Sequence, residues 1–231
     1  MDNPQRNLNM KYTLNENYFE NINSANKAYW LGLIAADGSV SELQPGKRNQ
    51  RLQITLKYED KYILEKFKSN IKYTGPILEH TIKTGKYQGN KYATILFTSN
   101  KIAQDLAKYN IVPRKTNIYS YPNIPDKYTF DFIRGYFDGD GTVFISNEKH
   151  WRNGTITPVI HFRFVGTESL MKTIQSKLNI GGSIVKSRNS STYELCYKRR
   201  TKAAEFVSKI YTGKSLYLKR KYNIFKDVQR L

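Results

Sequence analysis

The chain is poor in the residues that build disulfides and soft-metal centres. Its 231 residues include one cysteine, Cys196, and three histidines, His80, His150 and His161, scattered without zinc spacing. An internal disulfide and a cysteine-based zinc site are excluded. His161 and Cys196 both fall within strand-like patterns, which makes the first a packed or base-facing side chain and the second a buried, inert thiol. Long apolar runs are missing too. The longest, Ala28–Ala36, contains Gly32 and falls far short of the roughly 20 residues that span a bilayer. The opening MDNPQRNLNM has no apolar h-region, so no secretory leader is expected. The expected location is intracellular, in the cytoplasm or nucleoid or in an organelle matrix. No local signal for Ser-His-Asp chemistry is present. Gly213-Lys214-Ser215 resembles the end of a phosphate loop, but Ser208 stands where that pattern needs glycine.

Carboxylates are scarce as well. Asp and Glu total 19 against 38 Lys and Arg, a formal net charge of +19 and a pI near 9.8. The excess is not a basic tail: residues 1–120 hold 18 basic and 10 acidic side chains, residues 121–231 hold 20 and 9. A compact body with this imbalance repels itself until a polyanion neutralises it. No basic amphipathic helix points to acidic membranes, so nucleic acid is the expected partner. With 39% apolar residues, 18 Tyr, 11 Phe and 2 Trp, the chain can bury a real core and is not a disordered segment.

The sequence repeats itself once. AYWLGLIAADGSV at residues 28–40 and DFIRGYFDGDGTV at residues 131–143 align on Gly32 and Gly135. A strand-like segment follows each, Arg51–Leu56 and Val159–Val165, rich in β-branched and apolar residues. Next come apolar residues at helical spacing: Ile63, Leu64, Phe67 and Ile71, then Leu170, Met171, Ile174 and Leu178. Two further strand pairs are expected, around Ile77–Thr84 with Tyr92–Thr98 and Ser183–Arg188 with Tyr193–Tyr197. A last helix closes each half, about Lys101–Tyr109 and Thr201–Tyr211. The fold class expected is α+β, with two pseudo-symmetric halves. Residues 1–117 form the first, residues 1–27 being a polar extension. Residues 118–128, with Pro122 and Pro125, form a linker, and residues 129–231 form the second half.

Gly32 and Ala36 are four residues apart, as are Gly135 and Gly139, so each pair lies on one helix face. A stripe this slim lets two backbones approach closely, and glycine inside a helix otherwise costs about 1 kcal/mol. The two helices are therefore expected to pack together at the centre of the molecule. Each stripe is followed by an aspartate, Asp37 or Asp140, then by Gly38 or Gly141, suited to the helix exit. Paired helices bring both carboxylates to one end. Carboxylates about 4 Å apart repel by about 4 kcal/mol at an effective dielectric near 20. The helix dipoles oppose them as well. Divalent cations relieve both effects, and hard oxygen donors completed by substrate phosphates suit Mg²⁺.

Trp30–Gly38 (WLGLIAADG) and Ile133–Gly141 (IRGYFDGDG) resemble the nine-residue motif of LAGLIDADG homing endonucleases, in the single-chain form with two motifs. The resemblance implies two αββαββα halves whose motif helices form the interface and whose antiparallel sheets form a saddle over DNA. It implies a monomeric, site-specific endonuclease that makes Mg²⁺-dependent double-strand breaks in a long asymmetric target, leaving short 3′ overhangs. By the same resemblance Asp37 and Asp140 are the catalytic metal ligands. Lys115 and Lys219 take the place of the lysines near each scissile phosphate, with Lys221 a rival to Lys219. The earlier motif aspartate is present as Asp138 but is Ala35 in the first copy, a departure that bears on helix packing. An alternative is an RNA-binding intron maturase of the same fold, with intron RNA as partner.

Candidate DNA contacts are the polar residues of the strands and their loops. In the first half these are Ser39, Ser41, Lys47, Arg48, Arg51, Gln53, Thr55, Lys57, Lys83, Lys86 and Lys91. In the second they are Lys149, Arg152, Arg163, Lys186, Arg188, Lys198 and Arg200.

Overall fold

The structure, a computed structural model, describes residues 12–43, 49–149, 152, 154–188 and 190–230. Helix α1 (Ala25–Asp37) starts at Ser24, whose hydroxyl accepts from the Lys27 amide, and runs into strand β1 (Gly38–Val40). Strand β2 (Arg51–Lys57), helix α2 (Lys61–Asn70), strands β3 (Ile77–Thr81) and β4 (Lys91–Thr98) and helix α3 (Asn100–Ala107) follow. The order then recurs. Helix α4 (Thr129–Asp140) leads to β5 (Thr142–Lys149) and β6 (Ile156–Gly166), then α5 (Glu168–Leu178), β7 (Ser183–Lys186), β8 (Tyr193–Lys198) and α6 (Arg200–Ile210). A further helix, α7 (Lys219–Arg230), has no counterpart among the described residues of the first half and was not expected from the sequence.

The fold is α+β, with two four-stranded antiparallel sheets ordered β1-β2-β4-β3 and β5-β6-β8-β7. Alternation sets the two faces of each sheet. Leu52, Ile54 and Leu56 of β2 and Ala93, Ile95 and Phe97 of β4 point to the helices and are buried. Ile160, Phe162 and Phe164 of β6 do the same in the second sheet. The opposite faces, with Gln53, Thr55, His161 and Arg163, are uncovered. Aromatics fill the space between helices and sheets: Trp30 meets Phe67 at 5.1 Å, and Phe137 meets Phe206 at 4.9 Å and Phe225 at 5.9 Å. Each such ring contributes roughly 1.5–3 kcal/mol by leaving water. The stretch before α1 and the segment 118–128 are packed as well, through Phe19, Ile22, Tyr119 and Ile124. Among the described residues no helix is long and apolar enough to cross a membrane.

Helices α1 and α4 lie against each other in the middle. A β-carbon built on Gly32 would stand 2.1 Å from the Phe132 carbonyl oxygen, and one on Gly135 would stand 2.0 Å from that of Tyr29. These are backbone atoms, and nothing larger than hydrogen fits. The glycines at the helix exits act differently from the expectation. Gly38 and Gly141 have φ −78° and −74°, ordinary values, so no left-handed cap is formed. Their small size is needed because a β-carbon would meet the carbonyl oxygen of Ile34 at 2.6 Å or of Phe137 at 2.3 Å.

Candidate active site and nucleic-acid interface

The close approach of α1 and α4 carries their last residues to the same place. A β-carbon on Gly139, the neighbour of Asp140, would stand 2.3 Å from the Ala36 β-carbon and 3.3 Å from Asp37 Oδ2. The Asp37 carboxylate therefore lies against the end of α4. Both aspartates are open to solvent on one side and packed round by protein on the others. Burial, then the charge of Asp140, pushes the Asp37 carboxyl up to about 6, against the pull of Lys221, Arg220 and Lys115. Burial also raises Asp140, opposed chiefly by Lys115 and Lys221. The Tyr136 hydroxyl, beside Asp140, donates to the Val165 carbonyl at 2.8 Å.

One lysine from each half reaches this junction. Lys115 opens the 3₁₀ turn Lys115–Asn117 and is buried, its ammonium donating to the Gly38 carbonyl at 2.5 Å. Its counterpart is Lys221, not Lys219. Lys221 is 4% exposed and donates to the carbonyls of Phe137 (2.8 Å), Asp138 (2.7 Å), Gly139 (3.0 Å) and Gly141. It thus caps α4, cancelling part of the partial negative charge at the helix C-terminus. Burial holds the Lys221 ammonium down to about 8, although Asp138 pulls it upward. Lys219 is exposed on the first turn of α7 with its ammonium 5.0 Å from the Tyr62 ring centre. The helical register explains the correction: two residues apart on a helix, the lysines point about 200° apart, and only one faces α4.

Asp138 does more than pack the helices. It is fully buried and accepts from Tyr29 Oη at 2.8 Å, Tyr211 Oη at 3.0 Å and the Leu218 amide at 2.8 Å. The last of these pins the start of α7 and so positions Lys221. Burial raises its pKa. Ala35, the matching residue of α1, makes no such bond.

The uncovered sheet faces hold some of the expected DNA contacts and not others. Ser39, Arg51, Gln53, Thr55 and Lys57 stand on the open face of the first sheet, and Arg163 and Lys198 on that of the second. Ser41 is spent locally: its hydroxyl accepts from the Arg51 amide at 2.9 Å. Lys83 and Lys86 lie in the exposed loop after β3, while Arg152 and Arg188 are exposed in turns. Arg200 begins α6 and belongs to no strand. Lys91, Lys149 and Lys186 have the wrong parity for the open faces. Lys186 pairs in register with Tyr193 and adds, behind Lys172, to the charges that hold the Glu168 carboxyl of α5 down, which places it on the helix side. Lys47, Arg48 and His150 lie outside the described residues. The sequence missed Glu148 and Glu194, which hold cations on the second sheet's open face. Cys196 is half-buried on that face, opposite Arg163, rather than in the core.

The family model described as LAGLIDADG endonuclease matches residues 133–230, from the second motif through α7. This segment of the chain is similar to the LAGLIDADG endonuclease family. The two-motif reading of the whole chain rests on its own repeat and on fold. The chain resembles the crystal structure of the I-LtrWI LAGLIDADG homing endonuclease bound to target DNA, with TM-score 0.63 and 11% identity over 94% of this chain and 90% of that one. It resembles the meganuclease I-SmaMI bound to uncleaveable DNA with TM-score 0.61 and 15% identity over 87% and 88%. For the LAGLIDADG meganuclease I-AabMI bound to uncleaved DNA the values are 0.60 and 17%, over 87% and 88%. Another I-SmaMI structure was solved with an uncleaved DNA target in the presence of calcium ions. At these identities the likeness shows a shared LAGLIDADG fold. Among curated proteins, none matches this sequence.

Proposed function

We propose that the chain is a site-specific homing endonuclease that cuts both strands of a long, asymmetric DNA target in Mg²⁺ and leaves short 3′ overhangs. The observation that carries this reading is the junction itself. Two aspartates from successive halves meet at the ends of two glycine-striped helices, with a buried lysine beside each helix end. The +19 charge and the two open sheet faces suit a polyanionic duplex. In this reading residues 1–117 and 129–231 each address half of the target, 118–128 joins them, and one chain suffices as an intracellular monomer.

The donor set fits hard divalent cations. It is made of oxygen only, and burial raises the pKa of both carboxyls, with the charge of Asp140 adding to the rise at Asp37. Among the described residues no group of three or more His, Cys, Asp or Glu gathers that could hold a metal without help. Asp37 and Asp140 would hold the cations, with water and substrate phosphates completing the shell. Bound cations would supply Lewis acidity toward the phosphate and a more acidic water. Lys115 and Lys221 hold positive charge beside the aspartates without direct exposure, steadying the carbonyls at the helix ends. Both ammonium groups also stabilise negative charge gathering on a phosphate at the junction.

Incubation of the chain with a randomised duplex library in Mg²⁺, followed by sequencing of the cut ends, tests the proposal. Recovery of one asymmetric site with staggered 3′ ends supports it. Intact duplexes alongside tight binding of a structured intron RNA would instead identify the maturase reading.

A further inference from the structure

The two open sheet faces differ in chemistry, and the difference assigns a composition to each half of the target. This rests on the DNA-cutting reading and sharpens it. In the first sheet the centre of the open face carries no charged side chain among the described residues. Gln53 Nε2 donates to Thr55 Oγ1 at 3.2 Å, and Thr55 Oγ1 shares a hydrogen bond with Thr94 Oγ1 at 2.9 Å. Leu96 stands opposite Gln53 in register, and Leu78, 51% exposed, stands opposite Thr94. The only cations of β2, Arg51 and Lys57, sit at its two ends. The sole glutamate of this sheet, Glu79, points to the helix side, where it pairs with Lys61 at 2.7 Å.

The second sheet presents charges in matched pairs. Arg163 donates to Glu194 at 2.8 Å, and Lys198 donates to Glu148 at 2.5 Å. His161 shares hydrogen bonds with Glu148 and Ser146 and stacks flat on Phe144 at 4.9 Å. A carboxylate facing a phosphate polyanion is repelled, so two of them on one DNA-facing sheet need a reason. They pair with an arginine and a lysine whose side chains stay 42% and 51% exposed, and they are themselves acceptors.

Base edges in the major groove select among these groups. Glutamine bonds adenine through its N6 and N7 edge, and apolar groups and threonine methyls meet the thymine methyl. The Gln53–Thr55 bond uses one amide hydrogen and leaves the other, with Oε1, for that edge. Arginine and lysine bond guanine O6 and N7, and glutamate accepts from cytosine N4. We propose that the first sheet reads A·T pairs at the positions met by Gln53, Thr55 and Leu96. The second sheet reads G·C pairs at the positions met by Arg163 with Glu194 and Lys198 with Glu148. The target thus has A·T pairs under the uncharged centre of the first sheet, between Arg51 and Lys57, and G·C pairs under the paired charges of the second.

Selection of the full chain on randomised duplexes in Ca²⁺, reading bound rather than cut DNA, tests this. Parallel selections use Gln53→Ala and Arg163→Ala, with thermal melts to verify that both variants are folded. Arg163→Ala should lose about tenfold or more of the preference for one G·C pair in one half. Gln53→Ala should lose a preference for an A·T pair in the other half. Loss of an A·T preference by Arg163→Ala, or of a G·C preference by Gln53→Ala, overturns the assignment while leaving the endonuclease reading standing. Failure of the wild-type chain to enrich any duplex overturns both.

Discussion

Replacing Gly135 with alanine adds one methyl group, and its consequence can be worked from the structure. In an open helix the change would stabilise by about 1 kcal/mol, because alanine loses less backbone freedom than glycine. Here the new β-carbon would stand 2.0 Å from the Tyr29 carbonyl oxygen and 2.9 Å from the Leu33 amide nitrogen. An ordinary contact needs about 3.4 Å or more, so α1 and α4 must separate by over 1 Å or tilt. No flexible side chain can give way, since the obstructing atoms are backbone. Overpacking of this kind costs typically 1–3 kcal/mol, and a backbone clash along the central helix pair belongs at or above the upper end. Against a total stability of about 5–15 kcal/mol, the net loss should be about 2–3 kcal/mol after the propensity gain. Urea unfolding followed by circular dichroism measures it. With a slope of about 1–3 kcal/mol per molar, the midpoint should fall by about 1 M or more. A midpoint that stays put or rises would refute the close approach of the two helices.

Other outcomes follow from the same geometry. Asp37 is held near pKa 6 in the folded protein against a normal 3.8, so its charge destabilises the fold above pH 6 and the penalty fades as pH falls toward 4. Asp37→Asn should therefore stabilise the metal-free protein at pH 7, by about 1 kcal/mol after solvent screening, and by less at pH 5; equal effects at both pH values in urea titrations would contradict the assignment. Lys221→Met strips hydrogen bonds from the carbonyl end of α4 and should cost about 2 kcal/mol or more, whereas Lys219→Ala should stay within about 0.5 kcal/mol. Asp138→Ala leaves two buried hydroxyls and the Leu218 amide unpaired; it should lower the melting temperature more than any surface aspartate change and free α7 for amide exchange. DNA affinity should fall with salt at a log–log slope of about −0.9 for each neutralised phosphate, and a flat response would remove the charge argument.

The central helix pair was legible because its signal is local and repeated. Four small residues at matched spacing and two acids at matched ends needed no knowledge of the rest of the chain. Three strands of each half and the amphipathic helices were legible for the same reason, within a few residues of their bounds, whereas β1 and β5 leave the motif helices directly and no break in the sequence delimits them. Long-range pairing was not legible. Asp138 finds Tyr29 and Tyr211, 109 and 73 residues away, and nothing in either neighbourhood announces the match. Helix α7, KRKYNIFKDVQR, is so polar that its buried Phe225 reads as an isolated ring, and without the helix the choice between Lys219 and Lys221 had no register to decide it. Lys186 was misplaced because strand parity is fixed by pairing: only its register with Tyr193 shows which face it occupies. Glu148 and Glu194 are not legible as part of a DNA-facing surface, because carboxylates repel phosphates and the pairs they form with Lys198 and Arg163 exist only across strands.

The most direct test of the junction is single-turnover cleavage of a supercoiled plasmid carrying the selected site, in Mg²⁺, by the wild-type chain and by Asp37→Asn and Asp140→Asn. The wild type should yield linear plasmid, and each variant should bind the site yet yield none. Linear product at the wild-type rate from either variant would show that the paired aspartates do not form the cutting centre.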